Sequence, residues 1–196
     1  MSSKLELINT CLALTGNLLV NVEDDGGPEW VVSSSAYEAG IKYLLGSKNW
    51  GFGTAVVTLN RKGSSTDPSY TDVYHRPAGS LGLSWVKVDG LAVEWTVIGN
   101  DVYLCAPNGG VQAKHVLRPE PEAIPPLFEE ALICLVKAGC YEGLNEDQSS
   151  AAAQRAEAEA KIALARSRND QEGSNRRKFR STMLDARYGV IERSPR

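Results

Sequence analysis

The chain has 196 residues, 42% of them apolar, enough to build a core in one large domain or two small ones. Its net charge of −3 conceals an asymmetry: residues 1–150 carry 10 Lys and Arg against 18 Asp and Glu, whereas residues 151–196 carry 11 against 6. That balance excludes a body built to grip nucleic-acid phosphates, which needs clustered cations, and points to a basic arm that docks on an acidic surface.

In chain order, Ser3 and Glu6 have the spacing of a capping box. Leu5, Ile8 and Leu12 follow at helical spacing, Leu7, Cys11 and Leu14 widen the stripe, and Gly16 is a suitable stop. The pattern predicts a first helix over residues 4–15. Residues 17–28 read as a loop, and its run Glu23-Asp24-Asp25 lacks the register of a calcium-binding loop. Ser33-Ser34-Ser35 offer helix caps, and Ser35 with Glu38 repeats the capping box. Tyr37, Ile41, Leu44 and Leu45 then carry a second helix to about Asn49. At Trp50-Gly51-Phe52-Gly53 the chain leaves abruptly, with both aromatic rings expected to fold back onto the helices.

From Thr54 the period changes from helical to two. Residues 54–59 and 70–75 read as extended. The hairpin signals then sharpen: Asp89-Gly90 joins residues 83–88 to 91–97, Gly99-Asn100 leads into 101–106, and Pro107-Asn108-Gly109-Gly110 leads into 111–117. Four strands at this spacing predict an antiparallel meander, with Tyr70, Tyr74, Trp85, Trp95 and Tyr103 as core or cross-strand partners. A third helix starts at Ile124-Pro125-Pro126, with proline in its first turn. Phe128, Leu132, Leu135, Val136 and Cys140 form its stripe, and Gly143 closes it.

Asn145 and Gln148 read as the cap of a fourth, alanine-rich helix. Alanine favours helix but buries little area, and within residues 151–165 only Ile162 and Leu164 are large and apolar. Such a helix has little to hold it to its own core and is suited to packing between chains. Ala152, Arg155, Ala156, Glu159, Ile162, Ala163 and Arg166 are its candidate interface residues. The basic run Arg176-Arg177-Lys178-Phe179-Arg180, with Met183 and Leu184 behind it, is the candidate docking arm. The expected architecture is α+β. Residues 1–53 and 119–172 form a four-helix bundle, residues 54–118 an antiparallel β-sheet insert between helices two and three, and residues 173–196 an extended C-terminal arm.

No motif for chemistry emerges. There is no phosphate loop and no dinucleotide fingerprint. His75 and His115 have no partner at metal-ligand spacing, and no nucleophile elbow supports a triad. The expectation is a protein that is not an enzyme, with no metal and no cofactor. Cys11, Cys105, Cys134 and Cys140 sit in apolar runs, without a CxxC pair, and read as small buried hydrophobes of a reducing compartment. The opening residues have no apolar signal region and no run is long enough to span a membrane. A soluble protein assembled in a cytoplasm is expected.

Several short motifs occur in a telling order. Leu7-Ile8-Asn9 with Leu12, Leu14 and Gly16 opens the chain, and Trp50-Gly51-Phe52 leaves helix two. Tyr74-x-Arg76-Pro77-Ala78 with Leu81 and Leu83 follows, then Trp95-x-Val97-x-Gly99-x-x-Val102-Tyr103-Leu104. Together these resemble the head–tail adaptors of short-tailed bacteriophages, the tail tubular protein A family, over nearly the whole chain. The resemblance implies a virion protein of the head–tail neck: a ring of twelve copies below the portal protein, with C-terminal arms on the portal and the tail nozzle protein below. It also implies that duplex DNA passes through the lumen without sequence recognition, and that in some relatives tail fibres seat on the ring. The basic tail departs from relatives whose tail is acidic or neutral. A nucleic-acid-binding or DNA-packaging accessory acting through that tail is the alternative.

Overall fold

The structure is a computed structural model that describes residues 3–24, 26–106 and 110–172. Four helices, α1 (Lys4–Thr15), α2 (Pro28–Ser47), α3 (Pro126–Gly143) and α4 (Gln148–Glu172), flank a run of strands in the chain. The strands are β1 (Thr54–Thr58), β2 (Arg61–Ser64), β3 (Asp72–His75), β4 (Gly82–Val88), β5 (Leu91–Ala92), β6 (Trp95–Ile98), β7 (Asp101–Leu104) and β8 (Val111–Val116). Among the described residues no helix is long and apolar enough to cross a membrane.

Local signals fix α1. Ser3 Oγ accepts from the Glu6 N–H, and Glu6 Oε2 accepts from the Ser3 N–H, closing the capping box. Gly16 ends the helix in the left-handed region at φ 75°. The Asn9 side chain then clamps the following loop, donating to the Val20 carbonyl and accepting from its N–H. This turns Val20 inward and leaves Leu18 and Leu19 in solvent.

Helix α2 begins earlier than the serines imply. Pro28 occupies its first turn, where a missing N–H costs nothing. Ser33 is therefore mid-helix and buried, its hydroxyl donating to the Glu29 carbonyl. Glu38 is no capping residue. It receives both Arg118 guanidinium nitrogens at 2.6 and 2.9 Å and Lys4 Nζ at 3.1 Å. The Arg118 hydrogen bonds hold the Glu38 carboxyl down to about 2.

Helix α3 packs against each of the other three helices. Its proline start and apolar stripe place Phe128, Ala131, Leu132, Val136 and Cys140 in a core shared with Ile8, Leu12, Ile41, Leu44 and Ile162. Trp50 closes one end of that core. Its indole donates to the Leu44 carbonyl at 2.7 Å and its ring meets Phe128 edge-on at 5.1 Å, and Phe52 completes a three-ring cluster, 5.0 Å from Phe128 and 6.0 Å from Trp50.

The strands form two four-stranded antiparallel sheets, ordered β1-β8-β4-β5 and β2-β3-β7-β6. Asp89 and Gly90, both at positive φ (49° and 85°), make the β4–β5 turn. Strand β5 then stops after two residues, and the chain passes through Val93-Glu94 to the other sheet. Tyr74, Val86, Val102, Leu104, Val111 and Ala113, drawn from both sheets, share one apolar core. A single meander would have left those inward faces wet.

The expected architecture, a four-helix bundle bearing one sheet, is thus corrected. Among the described residues the strands are eight in two sheets, not one sheet built on a four-strand meander. The helices gather around α3, with an open groove between α2 and α4, instead of closing a four-sided bundle. The expected arm, residues 173–196, lies outside the described residues. At the junction, Leu117 N–H donates to the Gly53 carbonyl at 2.8 Å and Thr54 faces Val116 across β1–β8, so the strand region begins and ends side by side.

Candidate interaction surface

Helix α4 is held to the core of its own chain, contrary to expectation. Ala151, Ala158, Ile162 and Ala165 form a buried stripe against α3, and small side chains are what allow the close approach. Its cap is Asp147 rather than Asn145. The Asp147 carboxylate accepts from the N–H and hydroxyl groups of both Ser149 and Ser150, which hold its carboxyl down to about 2. Asn145 instead ties the α3–α4 turn to α1, donating to the Thr15 carbonyl and accepting from Asn17.

The candidate interface residues of α4 separate accordingly. Ile162 is 0% exposed and belongs to the chain's own core, so it is not available to a partner. Arg166 is half-buried, and its carbonyl accepts from Lys48 Nζ. Ala152, Arg155, Ala156, Glu159 and Ala163 are exposed. Of these, Arg155, Ala156 and Glu159 form one wall of a groove of about 870 Å³, whose other wall is α2 and whose floor is α3.

Glycines make that floor. A Cβ on Gly139 would lie 2.5 Å from Ala36 Cβ, and one on Gly143 would lie 2.7 Å from Val32 Cγ1. Helices α2 and α3 therefore approach more closely than any side chain there would permit. Val31 and Tyr43 of α2, 56% and 50% exposed, stand at the groove's mouth. Polar contacts tie its walls together. Arg155 pairs with Glu142 of α3, and the Tyr43 hydroxyl donates to Glu159 at 2.5 Å across the groove. The hydrogen bond to Glu159 pushes the Tyr43 phenol above its ordinary range.

No family model and no curated protein matches the chain. What this surface can do follows from its own residues. The lining is mostly Val, Ala, Gly and Leu, and its ionisable groups are two carboxylates, one guanidinium and one phenol. That chemistry accepts an apolar partner carrying cations and has no nucleophile paired with a base. Among the described residues no three of His, Cys, Asp and Glu gather to hold a metal. His75 is exposed and faces Asp101 at 3.8 Å, while His115 is buried in the other sheet. Desolvation pushes the His115 imidazole below its usual range. Cys11 and Cys140 are pushed up to about 12 and about 11 by burial, and Cys105, expected inside, is exposed.

The α2 and α3 contributions to the groove were missed in the sequence. The available signal was the pair Gly139 and Gly143, one turn apart inside a helix that gains nothing locally from glycine. The arm residues Arg176, Arg177, Lys178, Phe179, Arg180, Met183 and Leu184 lie outside the described residues.

Proposed function

We propose that the protein is a structural assembly subunit: a ring-forming adaptor that joins a phage portal to the tail and surrounds the path of the ejected DNA. The observation that carries this reading is the open apolar groove, one wall of which is α4 with Arg155, Ala156 and Glu159. Leu14, Leu18, Leu19 and Val22, none of them in the groove lining, are exposed as well, with Leu18 75% exposed. A groove and exposed apolar side chains outside it favour head-to-tail contacts between copies, and such contacts close into rings when the rotation between copies allows. The order of short motifs along the chain supports the same assignment. In this reading Ala152, Ala163 and Arg166 flank the contact, and the arm Arg176–Leu184 engages acidic portal surface, with Phe179, Met183 and Leu184 as apolar anchors. An acidic body suits a conduit that does not retain DNA.

Mixing the protein with portal protein and measuring particle mass tests the proposal. Addition of a ring of subunits to the portal is the supporting result. Truncation after Gln171 should abolish that addition while leaving the fold intact, and a truncated chain that still assembled normally would remove the arm from the mechanism. Tight binding of the isolated protein to duplex DNA, with a steep dependence on salt, would favour the packaging-accessory alternative instead.

A further inference from the structure

We infer that, before assembly, the groove between α2 and α4 holds the protein's own C-terminal segment, residues 173–196. This inference stands apart from the portal reading and needs only the isolated chain.

The first ground is charge. The segment carries seven Lys and Arg against two Asp and Glu, whereas residues 1–172 carry 14 against 22. The groove presents Glu142 and Glu159 against the single cation Arg155. The smaller cavity at the end of α4, about 300 Å³, has Arg168 and Glu172 on its rim and offers no such excess of carboxylate.

The second ground is reach. The described chain ends at Glu172, at the C-terminus of α4. Glu159 lies about 20 Å back along that helix at 1.5 Å per residue. An extended chain advances roughly 3.3 Å per residue, so residues 173–179 cover about 23 Å. A segment that turns at Gly173 brings Phe179 level with Glu159 and Tyr43, with Arg176–Arg180 beside the carboxylates.

The groove then runs along α2 from Tyr43 to Val32, about 17 Å at helical rise. Met183 and Leu184, four and five residues beyond Phe179, span roughly 13–17 Å of extended chain. They reach the far end, where Val31, Val32 and Gly143 provide apolar wall. The spacing of the segment's apolar residues therefore matches the length of the groove. With only Gly173, Ser174 and Asn175 between helix and basic run, the effective concentration in the chain's own groove is on the order of millimolar, which favours it over another copy's groove in dilute solution. Where the groove also serves as the contact between copies, the reading proposed above, a neighbour cannot enter while the segment lies there, so removal of the arm and exposure of the contact surface are one event.

The test uses full-length protein, dilute and monomeric, with Phe179 replaced by the photo-crosslinking residue benzoylphenylalanine. The expected products are crosslinks within one chain to residues 31–43, 135–143 or 155–159. Their yield should fall about tenfold in either of two independent groove variants, Ala156→Lys and Glu159→Lys, whose melting temperatures show that they remain folded. Crosslinks only between chains, crosslinks only outside the groove, no crosslinks, or a yield unchanged by both variants would each overturn the inference. Any of those results together with normal ring addition to portal would overturn the inference alone, leaving the adaptor reading in place.

Discussion

The helical region and the sheet region bury their apolar side chains by opposite means. The two sheets face each other across a core from both, and their chief buried charge, Asp72, is satisfied within that region. The Thr71 hydroxyl, Arg61 and the Ala106 N–H all donate to Asp72, holding its carboxyl below the usual range. The helices instead gather on α3, close tightly where glycines permit, and leave the α2–α4 groove open. The difference teaches where to look for partners: a region that covers itself gives shape, and a region left partly uncovered gives association.

Ways to break this comparison run from large to small. Ile162→Ala should cost about 4 kcal/mol in urea unfolding, as a fully buried side chain with a cavity left behind. A loss below about 1 kcal/mol would restore the picture of α4 as loosely held. Asp72→Ala should cost about 3 kcal/mol, because it strands the Ala106 N–H and unpairs Arg61. Amide exchange should report that opening in β3 and β7 and leave the helices protected.

Two glycines sharpen the contrast within the helices. Gly139→Ala gains about 1 kcal/mol in helix propensity but drives a methyl into Ala36, for a net loss of about 2 kcal/mol. Gly46→Ala in α2 meets open space and should raise stability by about 0.5–1 kcal/mol. Equal effects at the two positions would mean the close approach does not matter.

The junction between the regions gives the pH-dependent test. The carboxyl of Glu38, at about 2 when folded against an ordinary 4.5, adds stability that is present above pH 4.5 and lost as pH falls toward 2. Arg118→Ala should cost about 1 kcal/mol at neutral pH after allowance for solvent exposure. It should also flatten the fall in melting temperature between pH 5 and pH 3. An unchanged acid limb would place the coupling elsewhere.

Features set by neighbours in sequence were legible. The bounds of α1 follow from Ser3, Glu6 and Gly16, the β4–β5 turn from Asp89-Gly90, and the start of α3 from its prolines. Features set by distant partners were not. Ser35 and Glu38 have capping-box spacing, but Glu38 is taken by Arg118, 80 residues away. Pro28 was the better sign of where α2 starts. Nothing in the alternation of residues 91–98 marks the step from one sheet to the other, because only the opposing sheet makes that step favourable. Of the groove, only the α4 wall was readable. Alanine spacing flagged Ala156 together with Arg155 and Glu159, but the same reasoning placed Ile162 outside, when the small residues around it are what let it in.

The hydrogen bond between Leu117 and Gly53 has a topological consequence. Because the strand region leaves and re-enters the helices at a shared neck, it can be excised or replaced by bridging two adjacent points, without rethreading the helical core. The helical core thereby keeps its dimensions when the outline of the strand region changes.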